Sequence, residues 1–178
     1  AEFNALDHAR QDINFDLTAL ARYEPLATRS FEFGYARKTR SPGIYERYLW
    51  VKRSAMSVNM NGWFGDGNGY TGNLNLRPEV ANTFSATAGW RATAADGWEM
   101  KITPYYTHVP DFIDVNRCPV IDDRSSGCTA ARFAATSGFV TLQFANHAAR
   151  LYGVDASWRA PLGGSTGLGR FALLGVFG

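Results

Sequence analysis

Hydrophobic and polar residues alternate along several short stretches of the chain, which is the pattern of a β-strand with one apolar and one polar face. In residues 28–38 (TRSFEFGYARK) three aromatic side chains fall on one face, with small and charged residues on the other. Residues 83–92 (TFSATAGWRA) repeat the pattern with Phe84 and Trp90 on the apolar face. The alternation therefore predicts an all-β protein.

Further strands are predicted from the same alternation, and the segments between them differ in length. The additional strands cover residues 15–23, residues 98–112, residues 139–146, residues 150–160 and a final stretch from residue 169. Short connections are predicted at 24–29, which contains Pro25, at 93–97, where Asp96-Gly97 favours a tight turn, and near 147–149. Long loops are predicted at about 41–80 and 116–137, and residues 161–169 are intermediate.

Short and long connections that follow one another are typical of bacterial outer-membrane barrels, which have short turns on one side and long loops on the other. We therefore predict an antiparallel up-and-down transmembrane β-barrel. Residues 1–178 are expected to be one part of it, because the last strand stops at Gly178 without a closing residue. The alternative is a secreted β-sandwich that binds a ligand, although a sandwich gives no reason for this order of connections.

Composition and charge exclude several classes of function. Charged residues make up only 19% of the chain, aromatic residues reach 14%, and the net charge is +2. Because the basic residues are scattered, no nucleic-acid partner is predicted. The sequence contains no run of about 18 apolar residues, so no transmembrane helix is predicted. No catalytic motif stands in a suitable context, so we predict a non-enzyme without a cofactor.

The glycine-rich segment at residues 65–72 contains two apparent ligand motifs, and neither fits its chemistry. GNGYTG matches the G-x-G-x-x-G dinucleotide pattern, but the residues that follow it cannot form the helix on which the pyrophosphate would lie. Asp66 could open a calcium loop, but the position of the bidentate glutamate holds Arg77. The sequence therefore favours a structural glycine loop.

Two segments carry a family resemblance. TRSPGIYERY at residues 39–48, followed by GNLNLRPE at residues 72–79, resembles the C-terminal barrel half of TonB-dependent outer-membrane receptors. YYTHVPDFID (105–114) and NHAARLYGVDASWRAPL (146–162) are similar to later strands of the same family. The motif residues, for which we predict a structural role, are Arg40, Pro42, Gly72, Asn73, Leu76, Pro78 and Glu79.

The resemblance implies a receptor in the bacterial outer membrane that captures a scarce solute, most simply a metal or a metal chelate. Its expected partners are outer-membrane lipid and the TonB complex, which would act through an N-terminal plug region outside these 178 residues. WFGDGNGY at residues 63–70, with Met56 and Met60, looks closest to receptors of the copper type. A passive outer-membrane barrel is a further alternative.

Candidate ligand contacts lie in the first long loop, where aromatic, thioether and carboxylate side chains are concentrated. They are Trp50, Met56, Met60, Trp63, Phe64, Asp66 and Tyr70. The sulfur atoms of Met56 and Met60 are soft ligands that suit Cu(I). Alternatively, the two methionines are apolar residues that fill gaps in a packed loop.

Cys118 and Cys128 lie in the second long loop. Two cysteines in an oxidising compartment predict a disulfide, which would stabilise the loop by about 2–3 kcal/mol through the entropy of the unfolded chain. A thiolate site for a soft metal is the alternative.

Overall fold

The structure is a computed structural model that describes residues 3–50, 63–94, 97–118, 128, 140–163 and 171–178. A 3₁₀ turn at Phe3–Ala5 precedes the regular elements. The strands and the helix are β1 Leu17–Leu26, β2 Arg29–Arg40, α1 Ile44–Tyr48, β3 Gly69–Thr71, β4 Glu79–Arg91, β5 Glu99–Arg117, β6 Thr141–Pro161 and β7 Ala172–Phe177. The predicted all-β fold is confirmed. Among the described residues, no helix is long and apolar enough to cross a bilayer.

All the described strands belong to one seven-stranded sheet with the order β1-β2-β4-β5-β6-β3, and β7 also pairs with β6. The pairs β1–β2, β4–β5 and β6–β7 are antiparallel. Strand β3 lies within the predicted first loop and pairs in parallel with the start of β6. Neither β3 nor the five-residue helix α1 was predicted, because each is too short to show a period.

The first hairpin has a tighter turn than predicted. The connection expected at 24–29 is reduced to Ala27 and Thr28, so Pro25 lies inside β1. The pairing of β1 with β2 shifts between Tyr23 and Leu26. Proline has no N–H to give to the sheet and is tolerated at such irregularities, which explains why the strand continues past it.

The connection predicted near 147–149 was wrong. Strand β6 runs without interruption for 21 residues, from Thr141 to Pro161. Its apolar residues keep even positions on both sides of this segment, as at Leu142 and Tyr152, so the alternation never changes phase and no turn is needed. Without this false turn, the first four connections between the long strands, at 27–28, 41–78, 92–98 and 118–140, alternate between short and long.

Contacts divide the chain into two units. The first, called here the loop unit, contains Ala1–Asn14, Thr39–Val80 and Pro110–Ala149. The second, the strand unit, contains Phe15–Lys38, Ala81–Val109 and Arg150–Gly178. Each unit has a distinct distribution of apolar side chains.

In the strand unit the two faces of the sheet differ in polarity. Phe84 lies opposite Tyr106 in the register, and Tyr35 packs against Phe84 with ring centroids 5.0 Å apart. On the other face, the hydroxyls of Thr83 and Thr107 are hydrogen-bonded over 2.8 Å. The apolar face is exposed, as shown by the 55% exposure of Phe84. A β-sandwich would cover such a face with a second sheet, and the described strands form only one.

The loop unit has a small apolar core in which Leu49, Leu76, Ile113 and Phe144 are buried. Tyr45, Tyr70 and Val115 pack against this core and are partly buried. Leu49 follows α1, Leu76 belongs to the segment before β4, and the other two core residues come from β5 and β6. The long loop therefore folds onto the strands through its own apolar residues.

Candidate functional site

Helix α1 depends on its surroundings for stability, because an isolated helix of this length does not form in water. Its first turn is capped by Glu46, whose carboxylate accepts a hydrogen bond from the backbone N–H of Gly43. Glu46 also accepts two hydrogen bonds from the guanidinium of Arg40, at 2.9 and 3.0 Å. The helix is thus attached to the end of β2.

Arg47 attaches the other side of α1 to the segment before β1. Its guanidinium donates two hydrogen bonds of 2.7 Å to the carboxylate of Asp12 and one of 2.9 Å to the carbonyl of Leu76. The hydrogen bond from Arg47 lowers the pKa of Asp12 and outweighs the opposite effect of burial. Arg47 is only 6% exposed, and its partner Asp12 is partly buried.

Arg40 and Glu79 join the two ends of the long loop. Arg40 Nε donates to the Glu79 carboxylate over 2.6 Å, and the second carboxylate oxygen accepts from the N–H of Ile113 over 2.7 Å. Pro42 lies just after β2, and Pro78 lies just before β4. Four of the predicted motif residues therefore stand where the loop leaves and rejoins the sheet.

Gly72 and Asn73 dock the second half of the loop on α1. The N–H of Gly72 donates to the carbonyl of Leu49, and the N–H of Asn73 donates to the carbonyl of Glu46. A Cβ atom on Gly72 would lie 2.5 Å from the carbonyl oxygen of Arg47, so only glycine fits. The amide of Asn73 also donates to the carbonyl of Phe144 over 3.0 Å.

Asn146 completes this scaffold and was not predicted as a site residue. Its side chain accepts from the N–H of Arg77 over 2.9 Å and donates to the carbonyl of the same residue over 3.0 Å. A further bond of 2.8 Å runs to the carbonyl of Asp111. The only signal in the sequence was its place at the start of the NHAARLYGVD resemblance, because side-chain pairing with a distant backbone leaves no periodic pattern.

The scaffold carries two pairs of aromatic rings. Tyr45 and Trp63 meet edge to face with centroids 4.7 Å apart. Phe64 stacks on Tyr70 at 4.9 Å, and Tyr70 contacts the core residue Phe144 at 6.0 Å. Trp63 is 64% exposed and Phe64 is 54% exposed. Trp63 and Phe64, two of the predicted ligand contacts, therefore have exposed rings that pack on the hydrogen-bonded scaffold.

Asp66 is held beside the second aromatic pair. Its carboxylate accepts hydrogen bonds from the Tyr70 hydroxyl at 2.5 Å, from the Asn68 side chain at 2.8 Å and from the Asn68 N–H at 3.0 Å. The bond from Tyr70 lowers the pKa of Asp66. Burial, and then the bond to Asp66, raise the pKa of Tyr70. The carboxylate is therefore ionised at neutral pH, and its hydrogen bonds connect Asn68 and Tyr70 within the glycine loop.

The remaining predicted residues have different placements. Trp50 is only 6% exposed, so its side chain is buried, and its predicted ligand contact stays a prediction. Met56 and Met60 lie outside the described residues. Within the described ranges, no three His, Cys, Asp or Glu side chains are grouped as a metal site. Cys118 and Cys128 form a disulfide with Cα atoms 5.6 Å apart.

Residues 6–177 match the family model described as TonB dependent receptor-like, beta-barrel. The chain belongs to the TonB-dependent receptor-like β-barrel family. No curated protein matches the chain. The predicted family and β-barrel fold class are confirmed, and the family is one of receptors, in agreement with the prediction of a non-enzyme.

Solved structures of siderophore receptors have a similar fold. The siderophore receptor PirA from Pseudomonas aeruginosa is 18% identical, with a TM-score of 0.58 over 83% of this chain and 25% of its own. A mutant of the ferric enterobactin receptor PfeA from Pseudomonas aeruginosa, in complex with enterobactin, is 15% identical, with a TM-score of 0.56 over 84% of this chain and 20% of its own. The chain thus spans a quarter or less of the length of these receptors.

Proposed function

We propose that this chain forms part of the wall and a ligand-binding loop of an outer-membrane receptor that imports a scarce metal chelate. The strand unit is the membrane-spanning part, and its exposed aromatic face contacts outer-membrane lipid. The loop unit contains the proposed ligand-contacting residues. This assignment is supported by the family match and by the opposite polarities of the two sheet faces.

The observation that carries the ligand-binding role is the presence of exposed aromatic rings on a hydrogen-bonded scaffold. Trp63 and Phe64 expose more than half of their surfaces, while their partners Tyr45 and Tyr70 pack against the buried core. Rigid aromatic residues give large contact areas at a low entropic cost and dominate many binding energies. We therefore assign Trp63, Phe64, Asp66 and Tyr70 to the ligand surface.

A ferric siderophore is the proposed cargo, because receptors of similar fold are siderophore receptors and one is described in complex with enterobactin. Copper is the second candidate. It is favoured by Met56 and Met60 of the long loop, whose thioether sulfurs suit Cu(I). By the family resemblance, import would be energised by the TonB complex through a plug region.

Binding to the detergent-solubilised full-length receptor tests this role. The probe is ferric enterobactin, and Cu(I) is titrated separately, with the quenching of tryptophan fluorescence as the readout. Truncation of Trp63 and Phe64 to alanine should weaken chelate binding at least about tenfold, which corresponds to roughly 1.4 kcal/mol. Trp98→Ala is the matched control, because Trp98 is 50% exposed and belongs to the strand unit.

The outcomes separate the alternatives. Loss of Cu(I) binding in a Met56→Ala, Met60→Ala variant would favour the copper candidate. If the Trp63→Ala, Phe64→Ala variant bound the chelate as tightly as the native receptor, the proposed ligand surface would be wrong. Diffusion of small solutes through the full-length protein without TonB would instead identify a passive barrel.

A further inference from the structure

The segment before β1 contacts the long loop through several side chains. Asp12 forms the ion pair with Arg47, and Arg10 Nε donates to the carbonyl of Leu74 over 2.7 Å. Tyr48 donates its hydroxyl to the carbonyl of His8 over 3.2 Å. All of these residues belong to the loop unit. Two parts of the chain that are separated by the β1–β2 hairpin therefore form one bonded structure.

The ion pair is the strongest of these contacts. The side chains of Arg47 and Asp12 are only 7% and 14% exposed, and their two hydrogen bonds have the parallel geometry that favours an arginine–carboxylate pair. Removal of one partner would leave the other charge buried without compensation, which is strongly unfavourable. The position of Arg47 is therefore tied to Asp12.

Arg47 and Tyr45 belong to the same short helix. Tyr45 packs on the exposed Trp63 with an interplanar angle of 73°, and it also contacts the buried core. Because α1 cannot persist without outside contacts, a change at Asp12 reaches Trp63 through only one helical turn and one ring contact. A direct structural path thus joins the segment before β1 to the proposed ligand surface.

We propose that Asp12 and Arg47 are positioning residues for Trp63, so that the segment before β1 determines the orientation of the indole that the receptor offers to its ligand. This inference rests on the proposed function for its biological meaning. Its structural content is independent of any ligand: loss of the Asp12 charge should move α1, and the ring of Trp63 with it. A test without ligand therefore separates the two proposals.

The test uses the full-length receptor in detergent, labelled with 5-fluorotryptophan and observed by ¹⁹F NMR. Trp63→Phe assigns the Trp63 resonance, and Tyr45→Ala gives its position without the ring contact. In Asp12→Asn we expect the Trp63 resonance to move most of the way to the Tyr45→Ala position. We also expect amide hydrogen exchange in residues 44–49 to become at least about tenfold faster. The Trp98 resonance should stay in place.

Two controls keep the result decisive. Asp7→Asn removes a carboxylate of the same segment that is 81% exposed, and it should change neither readout. Arg47→Lys keeps the charge but cannot form the paired hydrogen bonds, so it should shift the Trp63 resonance in the same direction. If Asp12→Asn does not assemble, Arg47→Lys provides the test. Heat-modifiable gel mobility reports assembly of the barrel in every variant.

An unchanged Trp63 resonance in assembled Asp12→Asn or Arg47→Lys would overturn the inference. A shifted resonance would support it, even if Trp63→Ala bound ferric enterobactin as tightly as the native receptor. In that last case the proposed ligand surface would be wrong, while the positioning of Trp63 by Asp12 and Arg47 would stand.

Discussion

Arg40, the last residue of β2, donates a 2.6 Å hydrogen bond to the carboxylate of Glu79, the first residue of β4. This single contact joins the point where the long loop leaves the sheet to the point where it returns. Because Glu46 in α1 binds the same guanidinium, the closed ends and the helix share one cation. The base of the long loop is therefore held by the contacts of Arg40 with Glu46 and Glu79.

The coupling of Arg40 to Glu79 can be measured with a double-mutant cycle. The Arg40 side chain is 48% exposed and that of Glu79 is 15% exposed, so solvent screens the pair, and we expect a coupling energy of about 1 kcal/mol. The measurement is the thermal unfolding of the full-length receptor in detergent, for the two single alanine variants and the double variant. The control cycle uses Lys38 and Asp16, which are both well exposed, 3.4 Å apart, and should show almost no coupling. Equal coupling in both cycles would contradict the role given to Arg40.

Gly72→Ala should disturb the loop strongly. Its new Cβ would lie 2.5 Å from the carbonyl oxygen of Arg47 and 2.8 Å from the backbone nitrogen of Leu49, so α1 would have to move away. We expect the receptor to lose more than about 1 kcal/mol of stability and α1 to exchange its amide hydrogens faster. Gly43→Ala is the control, because its Cβ would only contact Glu46 at 3.4 Å. A Gly72→Ala variant with native stability and exchange would show that the close approach is not required.

The strands could be predicted from the sequence, because alternation with a period of two reports directly which side chains share a face. The errors came from turns. Pro25 suggested a connection, but it lies within β1, where the pairing with β2 shifts between Tyr23 and Leu26. At residues 147–149 the prediction placed a turn where the alternation continued in phase, and β6 is one strand.

The site was less accessible to sequence reasoning. The GNLNLRPE motif lies where the loop returns to the sheet, since β4 begins at Glu79. The partners of the motif could not be predicted, because Asn146 and Asp12 are distant in sequence and act through specific hydrogen bonds. The burial of Trp50 could not be predicted, because the sequence does not show which aromatic residues of a long loop pack inside it.

Tyr70→Phe should change the titration of Asp66. The Tyr70 hydroxyl bond is the main cause of the lowered pKa of Asp66, so its removal should raise that pKa towards its ordinary value. A carboxyl group with a lowered pKa in the folded loop stabilises the fold above its ordinary pKa, and this contribution is lost as the pH falls through the lowered value. In Tyr70→Phe this contribution should therefore be smaller, and its loss should be complete at a higher pH.

The measurement is a ¹³C NMR titration of the Asp66 carboxylate between about pH 2 and pH 6, which spans its ordinary pKa. Tyr48→Phe is the control, because that hydroxyl donates to the carbonyl of His8 and does not touch Asp66. If the Asp66 titration were the same in Tyr70→Phe and in the native receptor, the hydroxyl would not be the cause of the lowered pKa.

Asn146→Ala tests whether the return of the long loop depends on side-chain pairing with the backbone. The substitution removes both hydrogen bonds to Arg77 and the one to Asp111, and it leaves the N–H of Arg77 without its acceptor. We expect a loss of about 1–3 kcal/mol in thermal stability and faster exchange of the Arg77 amide hydrogen. Asn75→Ala is the matched control, because Asn75 is an exposed residue that makes its bond to Asn73 through the backbone N–H. If Asn146→Ala and Asn75→Ala behaved alike, the loop would be held by Arg40, Glu79 and the buried core without the help of Asn146.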